Sequence, residues 1–218
     1  MKHRRYPFNL YLITDRKLVK EGNLLHVVEL ALQGGVRAVQ LREKDLSSRE
    51  MYELAMEMKK ITSKHDALLF INNRIDIALA VDADGVHLGT ESIPLDKAQT
   101  LMGPDRRIGV SCHDQLCARN AQEQGADFIT FGPLFYTPSK APYGDPVGLE
   151  ELEIVARSLS IPVFGLGGVN QANARQVMNA GASGISLISA IMAADQPRHA
   201  AEILLACLSH NPPDAKHE

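Results

Sequence analysis

Eight short apolar runs, each followed by a stretch of helical period, constrain this chain more than any other feature of its sequence. The runs are 10–14, 38–41, 68–71, 85–88, 108–111, 128–131, 163–165 and 185–188. Each is nearly all apolar, as parallel strands buried on both faces require. Between them, segments such as 24–33, 48–65 and 114–124 carry apolar residues at helical spacing. Ser47 or Ser48, with Glu50 and Met51 beyond, supplies a helix start. Eight strands alternating with helices in 218 residues predict an α/β chain folded as a (β/α)8 (TIM) barrel. A doubly wound open sheet alternates in the same way, but the even spacing to the end, with no linker, favours the barrel.

A repeated junction supports the count of eight. Gly34-Gly35-Val36-Arg37-Ala38-Val39, Val81-Asp82-Ala83-Asp84-Gly85-Val86, Gln124-Gly125-Ala126-Asp127-Phe128-Ile129 and Ala180-Gly181-Ala182-Ser183-Gly184-Ile185 share one design. A helix ends, a small residue turns the chain, and an apolar run begins. The copies recur at roughly 45–55 residues, about two βα units apiece. One domain over 1–210 is expected, followed by a frayed tail at 211–218 that contains Pro212-Pro213 and ends in charge.

The net charge of −3 and an aromatic content of 5% without Trp argue against nucleic acid or an anionic membrane as partner. Any affinity for anions must be local. Cys112, Cys117 and Cys207 are odd in number and lack CxxC spacing, which suggests neither a disulfide framework nor a zinc site. The basic start (Lys2, Arg4, Arg5) leads into an apolar stretch interrupted by Pro7, Asn9 and Thr14-Asp15, too short for a signal peptide, and no run is long enough to span a bilayer. The cytoplasm is the expected location, small phosphorylated molecules the expected partners, and homo-oligomerisation is left open.

In a (β/α)8 barrel the chemistry gathers at the C-terminal ends of the strands. After the second run, alternation sends Gln40, Arg42 and Lys44 to one side and Leu41, Glu43 and Asp45 to the other. Two cations and an amide suit a phosphate or diphosphate. The same string also reads as a solvated loop in which Arg42–Glu43 and Lys44–Asp45 neutralise one another. Asn72-Asn73-Arg74, after the third run, reads as ligands or, more commonly for such amides, as helix caps. The stretch 132–144 is the longest without a pattern; Thr137, Ser139 and Lys140 make it a lid over an anion, against an idle loop. Gly167-Gly168 and Ile188-Ser189-Ala190 close the last two strands with small residues, where barrels often hold phosphate on backbone N–H groups. His87 and His113 stand at strand ends without a recognisable carboxylate partner and read as hydrogen-bonding rather than acid–base groups. No Ser-His-Asp order, HExxH or GxGxxG after the first run is present, so neither covalent catalysis nor dinucleotide binding is indicated.

These pieces, in order, resemble the thiamine phosphate synthase family, which includes the similar thiazole tautomerases. The matching text is Tyr11-Leu12-Ile13-Thr14-Asp15, Gln40-Leu41-Arg42-Glu43-Lys44, Asn72-Asn73-Arg74-Ile75-Asp76, Asp84-Gly85-Val86-His87-Leu88-Gly89, Gly109-Val110-Ser111-Cys112-His113, Gly132-Pro133 through Thr137-Pro138-Ser139-Lys140, Gly165-Leu166-Gly167-Gly168 and Ile188-Ser189-Ala190. The resemblance implies a transferase of thiamine biosynthesis. A hydroxymethylpyrimidine diphosphate loses diphosphate, and the nitrogen of a thiazole phosphate attacks the methylene carbon to give thiamine phosphate. It implies a pyrimidine diphosphate site at Gln40, Leu41, Arg42, Glu43, Lys44, Asn72, Ser111 and Lys140. It implies a thiazole phosphate site at Thr137, Pro138, Ser139, Gly168, Ile188 and Ser189. The catalytic cations implied are Arg42, Lys44 and Lys140, because charge builds on the departing diphosphate.

Two positions depart from the family pattern. Where the resemblance implies aspartates that hold Mg2+, this chain has Asn73 and Ser92. Magnesium, the expected cofactor, would then arrive on the diphosphate, and a pocket without those anions would need it less. Two other functions remain open. A thiazole tautomerase would keep the thiazole site, but Pro133 stands where the resemblance implies its acid–base histidine. A non-catalytic paralogue that binds thiamine precursors would keep binding residues and lose both acids.

Overall fold

The computed structural model describes residues 7–137 and 144–209. Eight parallel strands close into a barrel in sequence order: β1 (Leu10–Ile13), β2 (Ala38–Leu41), β3 (Leu68–Asn72), β4 (Gly85–Leu88), β5 (Arg107–Cys112), β6 (Phe128–Phe131), β7 (Val163–Leu166) and β8 (Gly184–Leu187). The last strand returns to the first through Leu10↔Ile185, Tyr11↔Ser186 and Leu12↔Leu187, which removes the open-sheet alternative. Around the barrel run α1 (Leu24–Gln33), α2 (Ser48–Lys64), α3 (Ile75–Ala80), α4 (Leu95–Met102), α5 (Gln115–Glu123), α6 (Gly148–Ser158), α7 (Ala174–Asn179), α8 (Ser189–Met192) and α9 (Pro197–Leu208). Strand β8 ends one residue before the expected limit because Ile188 leaves extended geometry (φ −120°, ψ −83°) to lead into α8. The tail expected at 211–218 lies outside the described residues.

Alternation divides the apolar residues between two cores. Outward residues such as Leu12, Val39, Leu41, Leu69, Ile71, Val86 and Ile129 pack against the helices. Inward residues form a smaller cluster of Tyr11, Ile13, Ala38, Phe70, Phe128 and Phe164, closed below by Phe8. Three of these rings face a glycine directly across the ladder: Phe70↔Gly85, Phe128↔Gly109 and Phe164↔Gly184. A Cβ at Gly85, Gly109 or Gly184 would lie 2.7, 2.4 and 2.7 Å from the paired ring, so each large inward side chain fits only because its neighbour has none. The rings meet edge to face, with Phe70–Phe128 and Phe128–Phe164 centroids 5.4 and 5.6 Å apart.

The repeated junction has a structural meaning at the bottom of the barrel. Just before β4, β6 and β8, a polar side chain accepts the first free N–H of the preceding strand. Asp84 takes Leu69 N at 2.8 Å, Asp127 takes Ile108 N at 2.7 Å, and Ser183 takes Val163 N at 3.3 Å. Strand ends would otherwise bury unpaired donors. The helix start at Ser47 is a full capping box: Glu50 N donates to Ser47 Oγ at 3.3 Å and Ser47 N to Glu50 Oε2 at 2.9 Å. Among the described residues, no helix is long and apolar enough to cross a membrane.

Candidate active site

Five inward polar side chains form a layer above the rings. Gln40 Nε2 (β2) donates to Tyr11 Oη (β1) at 3.2 Å, and Tyr11 Oη stands 3.4 Å from His87 Nδ1 (β4). His87 Nε2 lies 3.0 Å from Ser111 Oγ (β5) and 3.4 Å from Thr130 Oγ1 (β6). Burial first, and the nearby positive charge of Arg42 second, push the His87 imidazole down to about 3. It is therefore neutral at physiological pH and acts as a hydrogen-bonding post that fixes Ser111, as expected from the sequence. His113 likewise contacts a carbonyl, that of Gly132, through Nδ1.

Above this layer stands the β2–α2 loop. Arg42 is half-buried, and its positive charge is near enough to His87 to help hold the imidazole neutral. Lys44 is exposed, and neither cation has a salt-bridge partner among the described residues. The pairing of each with its acidic neighbour, open from the sequence, does not occur. Glu43 accepts from Thr14 Oγ1 at 2.7 Å and from Arg16 Nη1 at 3.1 Å; Asp45 takes Arg16 at 2.6 and 3.1 Å and Lys17 at 2.9 Å. Leu41 is fully buried in the outer core. Of the run 40–44, Gln40 is thus turned to the barrel axis and Arg42 stands near His87, while Leu41 and Glu43 make supporting contacts. Arg16 was not singled out in the sequence, because its partners lie 27 and 29 positions away.

The paired amides do not cap α3. Its N-cap is Arg74, which makes no side-chain cap bond. Asn72, half-buried at the end of β3, pairs in register with His87 on the rim. Asn73 adopts φ +58° and turns Oδ1 to Gly89 N at 3.0 Å and to Ser92 Oγ at 2.7 Å, while Gly89 N also donates to Ser92 Oγ at 2.8 Å. The two positions that depart from the family pattern are therefore in direct contact. An open groove of about 440 Å3 lies beside them, lined by Leu95, Val110, Leu116 and Cys117; among the residues expected at the site, only Ser92 reaches it.

Across the same rim, the segment after β6 lies on the turn after β7. Leu134 N donates to Leu166 O at 2.8 Å and Phe135 N to Gly167 O at 3.0 Å. Gly167 (φ +95°) and Gly168 (φ +68°) both need the left-handed region, and a Cβ on Gly168 would sit 2.7 Å from Phe135 Cβ. The close approach that requires these glycines is thus to the neighbouring segment. Among the described residues, Thr137 Oγ1 is buried there with no hydrogen-bond partner. Ile188 packs on the inner cluster and Ser189, at the start of α8, is exposed. Ser186, inward on β8, also buries an unpartnered hydroxyl, which no local sequence signal marks. Pro138, Ser139 and Lys140 lie outside the described residues.

A closed parallel barrel with cations, amides and hydroxyls gathered on one rim is shared by many enzymes. The comparison with known families decides among them: the model of the thiamine monophosphate synthase family matches residues 10–191. This chain belongs to that family. Among relatives, a putative thiamine-phosphate synthase from Geobacter sulfurreducens is 54% identical over 98% of this chain and 99% of its own length. A thiamine-phosphate synthase from Clostridium acetobutylicum is 44% identical over 94% of this chain and 96% of its own. A solved thiamine phosphate pyrophosphorylase from Pyrococcus furiosus superposes with a TM-score of 0.84 at 41% identity, covering 92% of this chain and 95% of that one.

Family membership raises the question of magnesium, and the donor set here fits it poorly. Mg2+ is a hard cation held in proteins chiefly by carboxylates. Asn73 Oδ1 already accepts two hydrogen bonds, Ser92 Oγ is neutral, and no group of three or more His, Cys, Asp or Glu is arranged for a metal among the described residues.

Proposed function

We propose that this chain is a thiamine-phosphate synthase, joining a hydroxymethylpyrimidine diphosphate to a thiazole phosphate and releasing diphosphate. The observation that carries the reading is the separation of charge in the β2–α2 loop. Glu43 and Asp45 are bound by Arg16, leaving Arg42 and Lys44 after β2 without an ion-pair partner among the described residues. Unpaired cations in a partly desolvated rim are what a departing diphosphate needs. Arg42, Lys44 and Lys140 are assigned the diphosphate, with Gln40, Asn72 and Ser111 around the pyrimidine. Thr137, Pro138, Ser139, Gly168, Ile188 and Ser189 are assigned the thiazole phosphate.

The chemistry asks little else of the protein. As the carbon–oxygen bond to diphosphate breaks, negative charge grows on the leaving oxygens beside Arg42 and Lys44. The methylene carbon, made electron-poor, is met by the thiazole nitrogen lone pair. No base need remove a proton for that bond to form, which agrees with a His87 that is buried and neutral. Because Asn73 and Ser92 offer no anionic oxygen, no step is routed through a metal held by the protein. The test is to incubate the protein with both substrates, with and without magnesium, and to measure thiamine phosphate. Formation of product supports the reading. Isomerisation of a thiazole phosphate without coupling overturns it in favour of a tautomerase. Binding of both substrates without product overturns it in favour of a binding protein.

A further inference from the structure

We infer that Arg16 is a positioning residue of this site: it draws both carboxylates of the β2–α2 loop to itself so that the loop's two cations stay free for an anion. The inference deepens the proposed diphosphate site and rests on that reading.

The loop alternates charge, Arg42-Glu43-Lys44-Asp45, and taken alone it is neutral. A neutral, self-paired loop has no reason to attract diphosphate. The structure breaks the symmetry from the neighbouring strand. Arg16 follows β1 and is set there by a short turn of 3-10 helix, whose N-cap Asp15 accepts from Lys17 N. Its backbone N donates to both Glu43 oxygens at 3.1 and 3.2 Å. Its guanidinium then bridges the two acids, with Nη1 on Glu43 at 3.1 Å and Nη1 and Nη2 on Asp45 at 2.6 and 3.1 Å. Only a planar fork spans two carboxylates in this way, which a lysine ammonium does not. Hydrogen bonds from Arg16 and Lys17 hold the Asp45 carboxyl well below the usual carboxylate range.

The charges then sort themselves. Arg16 and Lys17 balance Glu43 and Asp45, so Arg42 and Lys44 remain uncompensated among the described residues. Thr14 links the two halves, since its Oγ1 donates to Glu43 and accepts Arg42 N at 2.9 Å. Without Arg16, the Glu43 carboxylate, whose side chain is 2% exposed, would lose its one cationic partner among the described residues. Arg42 and Lys44 flank Glu43 in the sequence, and a cation captured by Glu43 is a cation lost to the ligand.

Titration calorimetry with inorganic diphosphate tests this directly on the full chain, with thermal unfolding measured alongside. Arg16→Gln should weaken diphosphate binding by about tenfold or more, because one charge-assisted contact is withdrawn. The double variant Arg16→Gln/Glu43→Gln should regain most of that loss, since no acid is left to compete. In steady-state assays, the KM for the pyrimidine diphosphate should rise while that for the thiazole phosphate stays put. Binding by Arg16→Gln within about twofold of wild type overturns the inference. So does a loss that Glu43→Gln fails to repair, because Arg16 then acts only through folding. Should Arg16→Gln not fold, Arg16→Lys, which keeps the charge and loses the fork, is judged by the same two outcomes. Wild-type protein that binds no diphosphate overturns the functional reading as well, whereas equal binding by wild type and variant overturns this inference alone.

Discussion

Replacing His87 with glutamine should flatten the acid side of the stability curve. In the folded chain, burial and Arg42 hold the imidazole down to about 3, against 6.5 for a free histidine. Between those two values the unfolded chain binds a proton that the folded chain refuses. Stability carried by the neutral ring is therefore complete above about pH 6.5 and is lost as pH falls towards 3. Each unit in that window costs about 1.4 kcal/mol, so near pH 5 the wild type should have lost about 2 kcal/mol on this account alone. Glutamine keeps an amide in place of the ring and does not titrate. Its fixed cost cancels when the difference between the proteins is followed with pH. Urea unfolding of wild type and His87→Gln near pH 8 and pH 5 should show their stabilities converging by about 2 kcal/mol at the lower pH. Parallel curves, with the difference unchanged to within about 0.5 kcal/mol, would refute the claim that His87 is buried and neutral.

The remaining predictions concern packing and metal. Gly109→Ala places a Cβ 2.4 Å from Phe128 Cζ and 2.6 Å from His87 Nδ1, and should destabilise the barrel by about 1–3 kcal/mol in urea unfolding. Phe128→Leu in the same background should recover part of that loss, and an unchanged midpoint for Gly109→Ala would contradict the ring–glycine pairing. Asn73→Asp combined with Ser92→Asp sets two carboxylates where side chains now meet at 2.7 Å. Magnesium should then raise the melting temperature of the double variant and leave that of the wild type unmoved. A magnesium-dependent rise in the wild type would show that neutral oxygens suffice.

The parts of this fold that were legible in the sequence are those set by local pattern. Strands such as β2, β4 and β6 were readable to the residue because burial on both faces leaves a short, mostly apolar run. The Ser47–Glu50 capping box was readable because both partners lie within one turn. What escaped depends on register across strands. Phe128 and Gly109 are 19 positions apart, and only closure of the barrel shows that one exists to make room for the other. The site divides the same way. Alternation put Gln40, Arg42 and Lys44 on one side and Leu41, Glu43 and Asp45 on the other, yet it gave no hint that Glu43 and Asp45 would be taken by Arg16 from the turn after β1. Asn73 looked like a cap because amides usually are; its left-handed backbone, which aims it at Ser92 instead, has no signature in the local sequence. Gly167 and Gly168 read as positions where backbone meets an anion, and the register of β6 against β7, which no local pattern shows, packs the segment after β6 onto them.

The central claim is that unpaired cations on the barrel rim drive departure of diphosphate, and Arg42→Gln tests it most directly. Steady-state formation of thiamine phosphate by this variant should fall by about 10²–10³ in kcat, with the KM for the thiazole phosphate little changed. A variant that turns over at the wild-type rate would contradict the account, because the charge that Arg16 keeps free would then have no part in the reaction.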